Sequence, residues 1–244
     1  MNYSKLSNTW LCNEHVKFLP NTTEHYNNPK KLWYVHIPKT GGSLIEELLI
    51  KYKLARHFEN WKSFGIKIIH PSPWHMLPSK FKQLDFSKLN VFVSIRDPIQ
   101  RILSEFVWQR NRKIKYNEIN KWIVESLKSH VKNNNTEDNH FEPQIKFIID
   151  YYGNTIPYDN ILICDKYNYH KNIKNFAERN NLTIINFDKA ITNMSKYHTN
   201  KTDYDYLYRQ LKPETVQLIK NYYRDDFVLL EKVKNHYKEK AWLN

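Results

Sequence analysis

Two kinds of apolar pattern alternate along this chain. A short run, Leu32 to Ile37, is followed at once by Pro38-Lys39-Thr40-Gly41-Gly42-Ser43. A helical pattern over Ser43–Tyr52 then places Leu44, Leu48 and Tyr52 on one face. The order predicts a strand, a tight loop and a helix start. A second unit repeats the theme: Val91 to Ile95 is a β-branched run suited to a buried parallel strand. Asp97-Pro98 then supplies an N-cap and a first-turn proline for a helix over Pro98–Arg112. Further strands are expected at Gly65–Ile69 and Asn160–Asp165, and helices at Tyr116–Val131 and Pro143–Tyr152. The last helix is expected over Pro213–Tyr237, with Val216, Ile219, Tyr223, Phe227, Leu230 and Tyr237 spaced as a core face. Residues 55–65 suggest a loop or short helix, and the polar stretch Lys132–Asn139 a mobile loop. Residues 1–31 suggest an irregular arm, and 32–244 a single α/β domain with a central parallel β-sheet flanked by helices.

The loop after the first strand carries the chemistry. Backbone N–H groups at a strand-to-helix turn point outward, where the helix dipole is positive, so an anion is favoured there. Gly41 and Gly42 are two of only four glycines in the chain. Lacking Cβ atoms, they can take positive φ and let a phosphate approach the main chain. Lys39 adds a charge, and Thr40 or Ser43 a hydroxyl. A Walker A loop would place its lysine after the second glycine, and no G-x-G-x-x-G is present. The second unit places Arg96 at the carboxyl end of a strand, the edge where open α/β sheets bind ligands. Arg101 and Ser104 share a face of the helix that follows.

His36-Ile-Pro-Lys-Thr-Gly-Gly-Ser43 resembles the 5′-phosphosulfate loop of the sulfotransferase family, in the form carried by its glycan branch. Arg96-Asp-Pro-x-x-Arg101-x-x-Ser104 resembles the same family's 3′-phosphate element. The two motifs stand in family order. Weaker echoes at Pro143-Gln144, Ile161–Asp165, Leu211–Glu214 and Tyr222–Phe227 extend the likeness over residues 32–230. The resemblance implies a P-loop-like sulfotransferase fold and the donor PAPS (3′-phosphoadenosine 5′-phosphosulfate), with PAP as product. It implies that Lys39, Thr40, Gly41, Gly42 and Ser43 hold the 5′ end, Arg96 and Ser104 the 3′-phosphate, and that Lys39 stabilises the leaving oxygen. A basic loop near Lys201 closes over the nucleotide in relatives, and a solvated loop is the plain alternative here.

Sulfuryl transfer to a hydroxyl needs a base, and histidine suits that task near neutrality. Eleven histidines compete for the role. Glycan-type relatives place theirs just after a strand between the two phosphate motifs. His70 matches that placement, with His75 the second candidate; His36, on the first strand, suits a packing or orienting role. The resemblance implies no metal for the transfer, and no run of ligands has zinc spacing.

A formal charge of +13 suits PAPS and a carbohydrate acceptor, an anionic one included, although lysine and asparagine abound throughout. No nucleic-acid module accompanies the charge. Two cysteines build no disulfide framework, and Cys164 is expected to be an inert core thiol. No segment has the apolar length of a membrane span, and the first residues lack a signal-peptide core, so a soluble, cytoplasmic protein is expected; a Golgi-lumen location would require a truncated chain. Two rival readings stand beside the sulfotransferase: a phosphotransferase on a degenerate P-loop, and a non-catalytic protein that binds nucleotides or polyanions.

Overall fold

The computed structural model describes residues 32–50, 54–57, 75–82, 84–110, 115–133, 138–165, 168–182, 187 and 204–242. Four parallel strands form its sheet in the order β2-β1-β3-β4, with β1 at Leu32–Val35, β2 at Ala55–His57, β3 at Asn90–Ile95 and β4 at Ile161–Ile163. Registers run Leu32 to Asn90 and Val35 to Val93 between β1 and β3, and Val93 to Ile161 between β3 and β4. The helices are α1 (Gly42–Ile45, continued by a π-helical turn over Glu46–Ile50), α2 (Pro98–Arg110), α3 (Ile119–Asn133), α4 (Tyr169–Arg179), α5 (Tyr204–Arg209), α6 (Pro213–Tyr222) and α7 (Arg224–Glu239).

Strands β1, β3 and β4 read as largely apolar runs because both faces of the sheet are covered there. Trp33, Val35, Val91, Val93, Ile95, Ile161 and Ile163 face Leu229, Leu230, Val233 and Tyr237 of α7, together with Phe147 and Ile156. Leu32, Tyr34, Phe92 and Leu162 alternate with them and face Leu44, Ile45 and Leu48 on one side and Ile173, Phe176 and Ala177 of α4 on the other. A third apolar cluster lies beside the sheet. There Ile102, Leu103 and Phe106 of α2 meet Ile119, Ile123 and Leu127 of α3, Leu207 of α5, Ile219 of α6, and Phe141.

The expected α/β class is what the chain adopts, and several boundaries move. Residues 55–57 pair with β1 as an edge strand, where a loop or short helix was expected. The strand expected at Gly65–Ile69 lies outside the described residues. Over Pro143–Tyr152 the chain makes one 3₁₀ turn, Gln144–Phe147, in place of the expected helix. The Asp226 carboxylate accepts the amides of Gln144 at 2.8 Å and Ile145 at 2.9 Å. Beyond the turn the chain reverses around Asp150, whose carboxylate accepts the amides of Tyr152, Asn154 and Phe86. Those side-chain acceptors satisfy donors that a helix would otherwise pair.

The single helix expected over Pro213–Tyr237 is two, bent at Tyr223. The bend lets the buried Tyr223 hydroxyl donate to Phe141 O at 3.0 Å while Asp226 reaches the 144–145 amides. The polar stretch expected to be a mobile loop begins inside α3, and its far end is built into the protein: Asn139 is buried and donates to His75 O at 2.7 Å.

Arg101 ties the helical cluster to the sheet. Buried on α2, it donates to Pro38 O at 2.9 Å, Glu142 O at 2.8 Å and His140 O at 2.9 Å. Replacing Arg101 by Met leaves three buried carbonyls unpaired, each worth about 1 kcal/mol or more. Urea unfolding of Arg101→Met should therefore show a loss of about 3 kcal/mol, and a loss below about 1 kcal/mol would contradict the tie.

Candidate active site

The loop between β1 and α1 is held by its own side chains. Thr40, fully buried, donates to Ile37 O at 2.8 Å and lies 3.0 Å from Ser94 Oγ, which in turn pairs with Tyr34 Oη at 2.8 Å. The Thr40 hydroxyl is thus committed to the sheet, and the hydroxyl left on the surface is that of Ser43. Lys39 adopts positive φ (67°), a conformation disfavoured for a side-chain-bearing residue, and Gly41 follows at 87°. A Cβ on Gly41 would lie 2.5 Å from the Tyr169 ring, and one on Gly42 only 2.1 Å from His36 Nε2. Both glycines are therefore required by what packs on them.

The two motifs meet at the carboxyl edge of the sheet. Arg96 follows β3, and its guanidinium donates to Lys39 O at 3.4 Å while stacking over the Tyr204 ring at 5.0 Å. Its Nε is buried without a hydrogen-bond partner among the described residues. The Arg96 backbone is clamped by Gln144, whose amide accepts from Arg96 N and donates to Arg96 O, each at 2.8 Å. On α2, Arg101, Ser104, Glu105 and Trp108 recur at i, i+3, i+4 and i+7, one face of the helix. That face meets the loop: Arg101 binds Pro38 O, and Lys39 Nζ sits 5.2 Å from the Trp108 ring centre. Ser104, partly exposed, occupies the middle of this face. Burial lowers the Lys39 ammonium from its ordinary value; Glu105 opposes the fall and Arg96 adds to it.

Three histidines crowd the same edge. His75 stands edge-on to His36 at 5.1 Å and to His140 at 4.9 Å between ring centres. His75 Nδ1 pairs with Asp138 Oδ2 at 2.8 Å, and His140 Nδ1 with Glu105 Oε2 at 2.6 Å. Burial lowers His75 from the ordinary histidine range, and its hydrogen bond to Asp138 opposes that shift. Burial pushes the Glu105 carboxyl up, but the hydrogen bond and charge of His140, with Lys39 and Gln109, outweigh it and hold the group below the usual carboxylate range. His36 stacks on Tyr34 at 5.6 Å and fills the space that a side chain on residue 42 would need, an orienting position. Cys164 lies next to Gly41, and burial pushes its thiol up to about 11, so it stays protonated at neutral pH.

Of the residues singled out in the sequence, Lys39, Thr40, Gly41, Gly42, Ser43, Arg96 and Ser104 fall on this edge. His70 and Lys201 lie outside the described residues. His75, the second candidate for the base, stands inside the cluster. Asp138, His140 and Glu105 were not singled out: Asp138 sits in a stretch whose composition reads as solvated loop, and His140 and Glu105 belong to no motif. Only the fold brings them to His75 and Lys39.

The fold is an α/β protein with a parallel sheet, a glycine-bearing loop at the carboxyl edge of that sheet, and Lys39 and Arg96 beside each other there. The chain belongs to the sulfotransferase family, whose model matches residues 25–232. Sulfuryl transfer is the chemistry that membership carries in general. No curated protein and no solved structure matches the chain. Among the described residues no helix is long and apolar enough to cross a membrane.

A methyl group on residue 42 has no room unless the His36 ring moves. Gly42→Ala should lower stability in urea unfolding by about 1–3 kcal/mol, the usual range for overpacking. Wild-type stability in that variant would mean that the loop and ring do not pack as described.

Proposed function

We propose that this chain moves a sulfuryl group from PAPS to a hydroxyl of a carbohydrate acceptor, with His75 as general base. The observation that carries the reading is the approach of Arg96 to the Lys39 carbonyl, 57 positions away in sequence. It brings the two motifs side by side, which supports one nucleotide as the ligand of both. The residues suit a bisphosphorylated ligand. Arg96 has a buried Nε in want of an acceptor, and Lys39 is a partly buried cation whose charged form burial disfavours. An anion beside them would satisfy both.

PAPS would supply the sulfuryl group and a phosphate leaving group. The amides of Thr40 to Ser43 and the Ser43 hydroxyl would hold its 5′ end, and Lys39 would neutralise charge growing on the leaving oxygen. Thr40 would contribute through its backbone alone, because its hydroxyl is committed to the sheet. Arg96 and Ser104 would hold the 3′-phosphate. His75 would take the acceptor's proton at Nε2, with Asp138 fixing the ring through Nδ1. Its neutral form, favoured by burial, is the form a base must have. His70 precedes it by only five positions and keeps the same role open to test.

The acceptor class rests on the glycan-type form of the loop, from His36 to Ser43, and the basic balance of the chain is compatible with an anionic sugar. A cytoplasmic setting is the corresponding proposal for location.

Two measurements test the reading. PAP should raise the melting temperature of the chain while ATP leaves it unchanged, since a ligand stabilises the fold that binds it. The reverse would favour a phosphotransferase. Labelled sulfate transfer from PAPS to a saccharide panel should then fall by about 10²–10⁴ in His75→Ala with PAP binding retained. Near-normal turnover would move the base to His70, and no transfer to any acceptor despite PAP binding would favour a non-catalytic binder.

A further inference from the structure

Besides its place beside the phosphate loop, the histidine cluster has the composition of a metal site. One nitrogen each from His75 and His140 and one oxygen of Asp138 lie within 4.8 Å of one another. We propose that these three residues bind a divalent transition-metal ion, zinc above all, with the fourth position left to solvent. Zinc takes nitrogen at about 2.0–2.1 Å and carboxylate oxygen at about 2.0–2.2 Å, so tetrahedral donors stand roughly 3.4 Å apart. Closing from 4.8 Å to that spacing needs movements of about 1 Å, within reach of side-chain rotation.

The surroundings suit an ion as well as the donors do. Glu105 accepts from His140 Nδ1 at 2.6 Å, which leaves Nε2 as the ligand nitrogen. A carboxylate behind a ligating imidazole is the common outer support of a metal-bound histidine. Asp138 and Glu105 together offset the charge of a divalent ion. The loop that carries two of the donors is also prearranged. Asp138 and Asn139 both take positive φ (55° and 64°), and Asn139 is fastened to His75 O at 2.7 Å. That backbone turns Asp138 and His140, two positions apart, toward the same imidazole. Two imidazoles with one carboxylate favour zinc, copper or nickel over magnesium or calcium, which take oxygen ligands.

Sequence spacing does not reveal the set, because His75 lies 63 positions before Asp138. The ion plays no part in the transfer proposed above. Because Asp138 faces Nδ1, His75 would ligate through Nδ1 with its proton moved to Nε2, which removes the proposed base at Nε2, a consequence that rests on the reading of His75. The binding itself does not rest on it.

Equilibrium dialysis of the full chain against Zn²⁺ alone, without nucleotide, tests the site, with bound metal counted by atomic emission. One equivalent should bind. Asp138→Asn keeps a hydrogen-bond acceptor for His75 but loses the anionic ligand; His140→Gln keeps a donor for Glu105 but loses the nitrogen ligand. Each should weaken binding at least tenfold, and each should abolish the rise in melting temperature that Zn²⁺ gives the wild type. Co²⁺ in place of Zn²⁺ should show the strong visible absorption of a tetrahedral site, absent in both variants. No bound ion, or binding that either variant retains unchanged, overturns the proposal. Neither result bears on PAP binding or on sulfate transfer, which are measured separately.

Discussion

Arg101 is the interaction on which the site depends. Its guanidinium is buried and gives its donors to three carbonyls: Pro38 in the phosphate-type loop, and His140 and Glu142 in the segment that follows α3. An arginine can do this because its planar fork presents several donors in fixed directions, which a lysine cannot match. One side chain therefore fixes the distance between the loop that carries Lys39 and the segment that carries Asp138 and His140. Tyr223 reinforces the same segment by donating to Phe141 O, and the Arg101 guanidinium lies 5.9 Å from the Tyr223 ring centre. In the sequence Arg101 stands out only as sharing a helix face with Ser104; in the structure it is buried and supports the loop and the segment after α3.

Around that support, Lys39, Glu105 and His75 each have a neighbour that opposes the effect of burial. Burial drives Lys39 toward neutrality, and the charge of Glu105 opposes it. Glu105 is itself kept ionised chiefly by its hydrogen bond to His140. His75 is kept neutral by burial and oriented by Asp138. The edge thus brings a lysine and a buried imidazole to the same end of the sheet.

Much of this was legible in the sequence, for physical reasons. The strands that are buried on both faces announce themselves as apolar runs, and Asp97 and Pro98 mark the start of α2; Asp97 Oδ1 accepts the Gln100 amide at 3.0 Å. Gly41 and Gly42 stood out as an adjacent pair in a glycine-poor chain, read there as room for a phosphate; that the Tyr169 and His36 rings fill the space of a Cβ, and that of the two only Gly41 takes positive φ, emerged from the structure. What was not legible depends on partners distant in sequence. The 144–147 turn is set by Asp226, and the break at Tyr223 by Phe141, more than eighty positions away in each case. Asp138 carries no local signal because a carboxylate in a polar stretch looks the same whether it meets solvent or a histidine. The short edge strand β2 is stabilised by pairing with β1, which three residues cannot advertise.

Lys39 and Arg96 are proposed to grip the two ends of one nucleotide. Acylation of Lys39 by an amine-reactive reagent, followed by mass spectrometry, tests this most directly. PAP should protect Lys39 strongly, adenosine 5′-phosphate much less, and the difference between them should vanish in Arg96→Ala. Equal labelling of Lys39 with and without PAP would contradict the account.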